Sequence, residues 1–321
     1  MTVLRRMPAL VLVGAIGIAA GCGSSNNADT GSSTTPSGSA AGASTPPSGS
    51  AAGSSAATAT GSGPVDVLYA GSLVDAMEKQ VGPAFDRTTG YEFTGFGAGS
   101  TALATQIKGK VHPGDVFISA SPKVNAWLEG SANGGWVSWY ATFATSSLVI
   151  GYNPKSKFAA ALTAKPWYQV VTQPGFKLGS TDPATDPKGK LAAAALNNAA
   201  TSEQLPALAA LARSTATIYP EETLVGRLQA GQLDAGFFYA SEARAANIAT
   251  VPLTGQKLAA TYTVTVLNRA PHPAAAIAFI RYLLGPAGQS VLRRDGFTLV
   301  EPPTASGSGV PPGLSGVIPA H

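Results

Sequence analysis

The 321-residue chain has one cysteine, three histidines and a charged fraction of only 12%. The lone cysteine, Cys22, excludes an intramolecular disulfide, so a core must hold the fold together. The histidines do not suit catalysis. His112 precedes a Pro-Gly turn, His272 lies between two prolines, and His321 ends the chain. A serine nucleophile would lack a base, and no His/carboxylate cluster at ligand spacing supports a catalytic metal. No Lys/Arg stripe with interleaved aromatics runs through the sequence, which speaks against nucleic acid as a partner. Internal repeats are absent.

What is present begins with Arg5 and Arg6, followed by an apolar run from about Met7 to Ala20. This reads as a secretory signal, residues 1–21, too short and too rich in Gly and Ala for a comfortable membrane span. Its end, Ile18-Ala19-Ala20-Gly21-Cys22, resembles a bacterial lipobox, although Ala19 stands where a larger aliphatic residue is usual. The resemblance implies lipidation of Cys22 and an anchor on the outer face of the bacterial cytoplasmic membrane. Loss of Arg5 and Arg6 from the formal charge of +4 leaves about +2. Residues 22–64 are almost wholly Ser, Gly, Ala, Thr, Pro and Asn and read as a flexible tether, reaching roughly 35 Å if about 40 residues long. A Pro/Gly-rich tail, residues 301–321, is expected to be loose as well.

Between these segments, short apolar runs alternate with helical patterns, the mark of an α/β fold with parallel-rich sheets. Val65–Tyr69, Tyr91–Phe96 and Asp115–Ser119 read as strands. Each leads into a Ser-bearing loop and a helix, at Ser72, Ser100 and Ser121. Ser72, with Asp75, is placed to cap a helix that Pro83 should bend or end early. Serine at a helix start is ordinary capping chemistry. Three such starts at the carboxyl ends of parallel strands would also present unpaired N–H groups and partial positive charge to an anion. Gly97-Ala98-Gly99 removes side chains where a ligand would approach the backbone.

Ala70-Gly71-Ser72-Leu73, Gly97 to Thr101 and Gly114 to Ser121 resemble successive motifs of the molybdate- and tungstate-binding proteins of ABC importers. The likeness continues in Gly179 to Pro187, Asp234 to Ala243 and Pro273 to Phe297. It implies a two-lobed, type II-like periplasmic-binding-protein fold with the ligand cleft between lobes. The first lobe would hold residues 65–150, the second 151–250, and 251–300 would cross back. Crossings are expected at Thr145–Tyr152 and between Val251 and Thr263.

The same resemblance implies a binding protein and not an enzyme, a monomer working with an ABC permease and its ATPase, and no cofactor beyond the oxyanion ligand. Gly71, Ser72, Gly99, Ser100 and Thr101 would contact the anion from the first lobe. Ala184, the helix start at Glu221-Glu222-Thr223, and Tyr239 would do so from the second. Neutral donors are expected to suffice for a fully ionised oxyanion. Tyr239 has an equal reading as a core aromatic, and Ser119 and Ser121 read as structural. A subgroup of the family adds two carboxylates around the metal. Asp182 or Asp186 could supply one, yet both also read as turn residues. The second is not evident, because Phe238 holds its expected position, although Glu242 lies one helical turn away. A simple tetrahedral site is therefore expected. Two alternatives stay open: the same fold binding sulfate, phosphate or a small organic anion, and a surface lipoprotein hydrolase.

Overall fold

The short apolar runs become strands and the Ser- and Pro-headed segments become helices in the computed structural model, which describes residues 61–319. The predicted signal, Cys22 and most of the predicted tether lie outside the described residues. Strand β1 (Pro64–Ala70) leads into a 3-10 turn at Gly71–Leu73, then α1 (Val74–Ala76), a π-helical turn at Met77–Val81, and α2 (Gly82–Thr89). No side chain caps this start. Ser72 is turned inward instead, with its hydroxyl 3.0 Å from the Tyr262 hydroxyl, and Asp75 pairs with Lys79 at 2.7 Å. Pro83 does not end the helix. The backbone widens ahead of it so that the Gly82 N–H reaches the Met77 carbonyl, and the helix runs on to Thr89.

Next come β2 (Glu92–Ala98), α3 (Ser100–Lys108), β3 (Val116–Ser119), α4 (Pro122–Ala126) and the long β4 (Trp139–Tyr152). The middle of the chain gives α5 (Ala159–Ala164), α6 (Trp167–Val170), β5 (Leu178–Gly179), α7 (Pro187–Ser202), α8 (Pro206–Ala212), α9 (Glu221–Gln229), β6 (Ala235–Tyr239) and α10 (Ala240–Ala245). The chain then returns through β7 (Ala249–Pro252) and β8 (Ala259–Val266) to α11 (Pro273–Leu284), α12 (Pro286–Arg294) and β9 (Thr298–Gly307).

Strand β4 belongs to two sheets. Its first part, through Ser147, pairs antiparallel with β8 and β9, extending the order β2-β1-β3-β8-β4 of the first lobe. From Leu148 to Tyr152 it pairs with β6 and β7 in the second lobe, where β5 lies parallel to β6. The parallel β2-β1-β3 unit points its carboxyl ends toward the junction. Alternating strand faces bury Val65, Val67 and Tyr69 in the first lobe, where Phe85 and Phe93 pack on Phe279 at 5.3 and 5.7 Å between ring centroids. In the second lobe Trp167 meets Phe237 edge-on at 6.1 Å.

The C-terminal segment departs from expectation. Residues 301–321 read as loose from their Pro and Gly content, yet β9 lies along β4 and Leu314 and Ile318 are buried. Burial of these two aliphatic side chains and pairing along β4 outweigh the segment's low strand propensity.

Candidate functional site

The junction between lobes is built from chain ends of strands and starts of helices. From the first lobe come Ser72, after β1, and Ser100 and Thr101, which open α3; exposures of 5%, 0% and 4% place all three out of solvent. The Ser100 hydroxyl oxygen accepts the Ala120 N–H at 3.0 Å, leaving its own hydrogen to donate. From the second lobe come Asp186, at the cap of α7, Lys188 in its first turn, Glu221 opening α9, Tyr239 ending β6, and Ser241 and Glu242 in α10. All six are buried.

Lys188 organises the charges. Its ammonium donates to both Glu242 carboxylate oxygens at 2.9 Å and lies 3.3 Å from Glu221 Oε1. Burial opposes a charge on Lys188, but Glu242, Glu221 and Asp186 more than offset it and hold the lysine above its usual range. Burial raises Glu221 to about 7, with the Asp186 charge adding to the shift and Lys188 opposing it. It raises Glu242 to about 6 against the pull of Lys188, and it raises Asp186 as well. Tyr239 and Tyr262 are pushed upward, chiefly by burial, and are neutral hydroxyl donors at neutral pH.

Several buried polar atoms here have no hydrogen-bond partner: Thr101 and Thr181 Oγ1, Asp186 Oδ2, Tyr239 OH and Ser241 Oγ, while Glu221 is met by Lys188 at 3.3 Å. Native interiors leave few such atoms, and each costs about 1–3 kcal/mol when unmet. Their concentration at one junction marks a place for a polar ligand. Two clefts open onto it. One of ≈ 390 Å³ is lined by Gly71, Ser72, Glu221 and Glu242; the other, of ≈ 380 Å³, by Gly99, Thr181, Asp186 and Glu221.

The sequence-predicted residues divide unevenly. Ser72, Ser100, Thr101, Asp186 and Tyr239 come together in the buried junction. Ala184 does not: it is exposed, and its N–H donates to Asp182 Oδ1 at 2.8 Å. Asp182 is accordingly a turn residue. Glu222 and Thr223 are exposed; Glu222 borders both clefts, and the Thr223 hydroxyl donates to the Pro220 carbonyl. Of that helix start, Glu221 is the side chain buried against Lys188. Gly71 and Gly99 line the clefts and also sit where the lobes touch. A Cβ on Gly71 would stand 2.9 Å from Glu221 Cβ, and one on Gly99 would stand 2.7 Å from the Thr185 carbonyl oxygen, so these glycines let the lobes touch.

Two further expectations need correction. The shell is not made of neutral donors alone, because Lys188 and three carboxylates lie within it. Nor does Asp186 stand as a lone carboxylate at the junction: Glu221 is buried there too, near enough for the Asp186 charge to raise it. Lys188 and Tyr262 escaped sequence reasoning. The one available signal was the Asp-Pro cap at the start of α7, which puts Lys188 in the first turn beside that cap.

Residues 65–298 match the family of bacterial extracellular solute-binding proteins. The chain belongs to that family. A protein of Haloferax volcanii named as an ABC transporter molybdenum-binding protein is 34% identical over 180 residues, 56% of this chain and 56% of its own length. The molybdate/tungstate-binding protein WtpA of Pyrococcus abyssi is 26% identical over 235 residues, covering 57% of this chain and 68% of WtpA. Among solved structures, the periplasmic molybdate-binding protein of Azotobacter vinelandii superposes with a TM-score of 0.57 at 20% identity, over 74% of this chain and 99% of that one. The sulfate-binding protein SubI of Mycobacterium tuberculosis gives 0.55 at 15% identity, over 74% and 88%. The fold of this solute-binding protein is thus the two-lobed, type II-like α/β arrangement. Family membership replaces the hydrolase alternative: the protein binds a solute and is not an enzyme.

Proposed function

We propose that this protein captures molybdate or tungstate between its lobes and delivers it to the permease of an ABC importer. The observation that carries the reading is the convergence of buried hydroxyl groups, those of Thr101, Ser241 and Tyr239 unpartnered, with two buried carboxylates, Asp186 and Glu221. Ser72, Ser100, Thr101, Ser241 and Tyr239 supply O–H donors for oxo groups. The carboxylates discriminate. Beside sulfate, which is fully ionised and whose central atom takes no further ligand, a carboxylate repels the anion; phosphate keeps a P–OH that can donate to a carboxylate, so sulfate is the sharper comparison. Molybdenum(VI) and tungsten(VI) are larger and oxophilic and accept carboxylate oxygens as additional ligands. Asp186 and Glu221 are thereby suited to an expanded coordination rather than a tetrahedral one. The relatives named for molybdenum, molybdate and tungstate support the same choice.

Hinge closure about β4 and the crossing after β7 would seal the anion, and the closed form would be presented to permease and ATPase. Cys22, outside the described residues, is proposed as the lipid anchor that holds the protein at the membrane surface.

A thermal-shift titration of the purified protein with molybdate, tungstate, sulfate and phosphate tests the reading. Ligand at about a thousand times its dissociation constant should stabilise the fold by roughly 4 kcal/mol. A large shift with molybdate or tungstate and none with sulfate is expected. Equal shifts with sulfate would remove the role given to the carboxylates, and no shift with any of the four would remove the oxyanion.

A further inference from the structure

Asp66, Asp115 and His272 come from three distant parts of the chain to one edge of the first lobe. Asp66 lies near the start of β1, four residues or about 13 Å upstream of its cleft end at Ala70. Asp115 immediately precedes β3, and His272 immediately precedes α11. His272 Nδ1 and one oxygen from each carboxylate all lie within 4.8 Å of one another. Nδ1 is 3.0 Å from Asp115 Oδ2 and 4.0 Å from Asp66 Oδ2.

We propose that these three side chains form a binding site for a divalent transition metal ion with the ligand preference of zinc. Asp115 is fully buried, and among the described residues no lysine or arginine pairs with it or with Asp66; His272 is the partner of both. A buried carboxylate next to a second one calls for a positive charge. A metal ion taking the place of the Nδ1 proton supplies it and uses all three side chains as ligands. The surroundings are those of a ligating group. The Asp115 oxygens are held by the backbone N–H groups of His272 at 2.5 Å and Asp66 at 2.8 Å, which fix the carboxylate from behind. Pro271 and Pro273 restrict the backbone that carries His272. The His272 and Asp66 side chains keep 38% and 24% exposure, leaving solvent access for a water ligand. Mixed nitrogen and oxygen donors suit zinc better than magnesium or calcium. No short-range spacing announces such a site, because the topology alone assembles it.

The test uses the full chain, freed of metal with a chelator and dialysed against micromolar zinc chloride. One zinc per chain is expected to be retained, together with a higher thermal midpoint than in chelator. His272→Gln and Asp66→Asn should each weaken zinc binding at least about tenfold and abolish the thermal increment. Asp115 is left intact, since its carboxylate anchors two backbone N–H groups. Failure of the wild-type chain to retain zinc would overturn the proposal and leave a proton-bridged triad. Retention of one zinc by both variants would overturn it equally, by placing the ion elsewhere. Neither outcome touches the assignment of the interlobe cleft.

Discussion

Gly99 in the first lobe lies so close to Thr185 in the second that a Cβ would stand 2.7 Å from the Thr185 carbonyl oxygen, which already accepts the Ala102 N–H at 3.0 Å. This contact exists only while the lobes are together. Gly99→Ala should therefore oppose closure with little effect on either lobe. If the overpacking costs about 1–3 kcal/mol, molybdate affinity should fall about 5- to 150-fold. Isothermal titration would measure the loss, and small-angle scattering would show a more open average shape. Unchanged affinity would mean that the ligated form tolerates a wider gap at Gly99.

Lys188 is the only cation in direct contact with the buried carboxylates among the described residues. Lys188→Met should destabilise the protein by about 3–5 kcal/mol, because it leaves Glu242 and Glu221 without their counter-charge. Adding Glu242→Gln should restore part of that loss. Chemical denaturation of the single and double variants measures the coupling, and simple additivity would argue against the pairing.

The carboxyl shifts set a pH dependence. Glu221 rises from 4.5 to about 7 on folding, so the folded protein favours its protonated form. Stability from this group is full below pH 4.5 and is lost as pH rises toward 7. The ligand-free protein should accordingly lose thermal stability across that window, and Glu221→Gln should flatten the loss. Thermal midpoints between pH 4.5 and 7 would show it; an equal slope in both proteins would exclude Glu221 as the cause.

Ser72 and Ser100 separate binding from structure. Ser72→Ala removes a hydroxyl that faces Tyr262, whereas Ser100→Ala also deprives the buried Ala120 N–H of its acceptor. Both should weaken molybdate binding, at least about tenfold, and Ser100→Ala should additionally cost about 1–3 kcal/mol of stability. Binding that survives the double substitution would take these serines out of the ligand shell.

The three strand-to-helix junctions were readable because each repeats one local pattern: an apolar run, small residues, then serine. Ser72 and Ser100, both buried at the junction, stand out that way. Lys188 does not, since Pro187-Lys188-Gly189-Lys190 looks solvent-facing throughout and two carboxylates from other segments, Glu221 and Glu242, distinguish Lys188 from the exposed Lys190. Adjacent Glu221 and Glu222 have the same chemistry, and helix phase alone decides which one enters the site. The C-terminal strand was hidden by its prolines, for composition does not show that β4 offers it an edge.

In the first lobe, β3 and β4 are neighbours in sequence but not in space, because β8, formed by Ala259–Val266, lies between them. A chain growing from its N-terminus thus carries an unfilled gap in its central sheet until the return segment has been made. The pairing that closes it joins residues more than a hundred positions apart, the kind of contact that slows folding. Completion of the first lobe must therefore be a late event, one that follows synthesis of the whole second lobe.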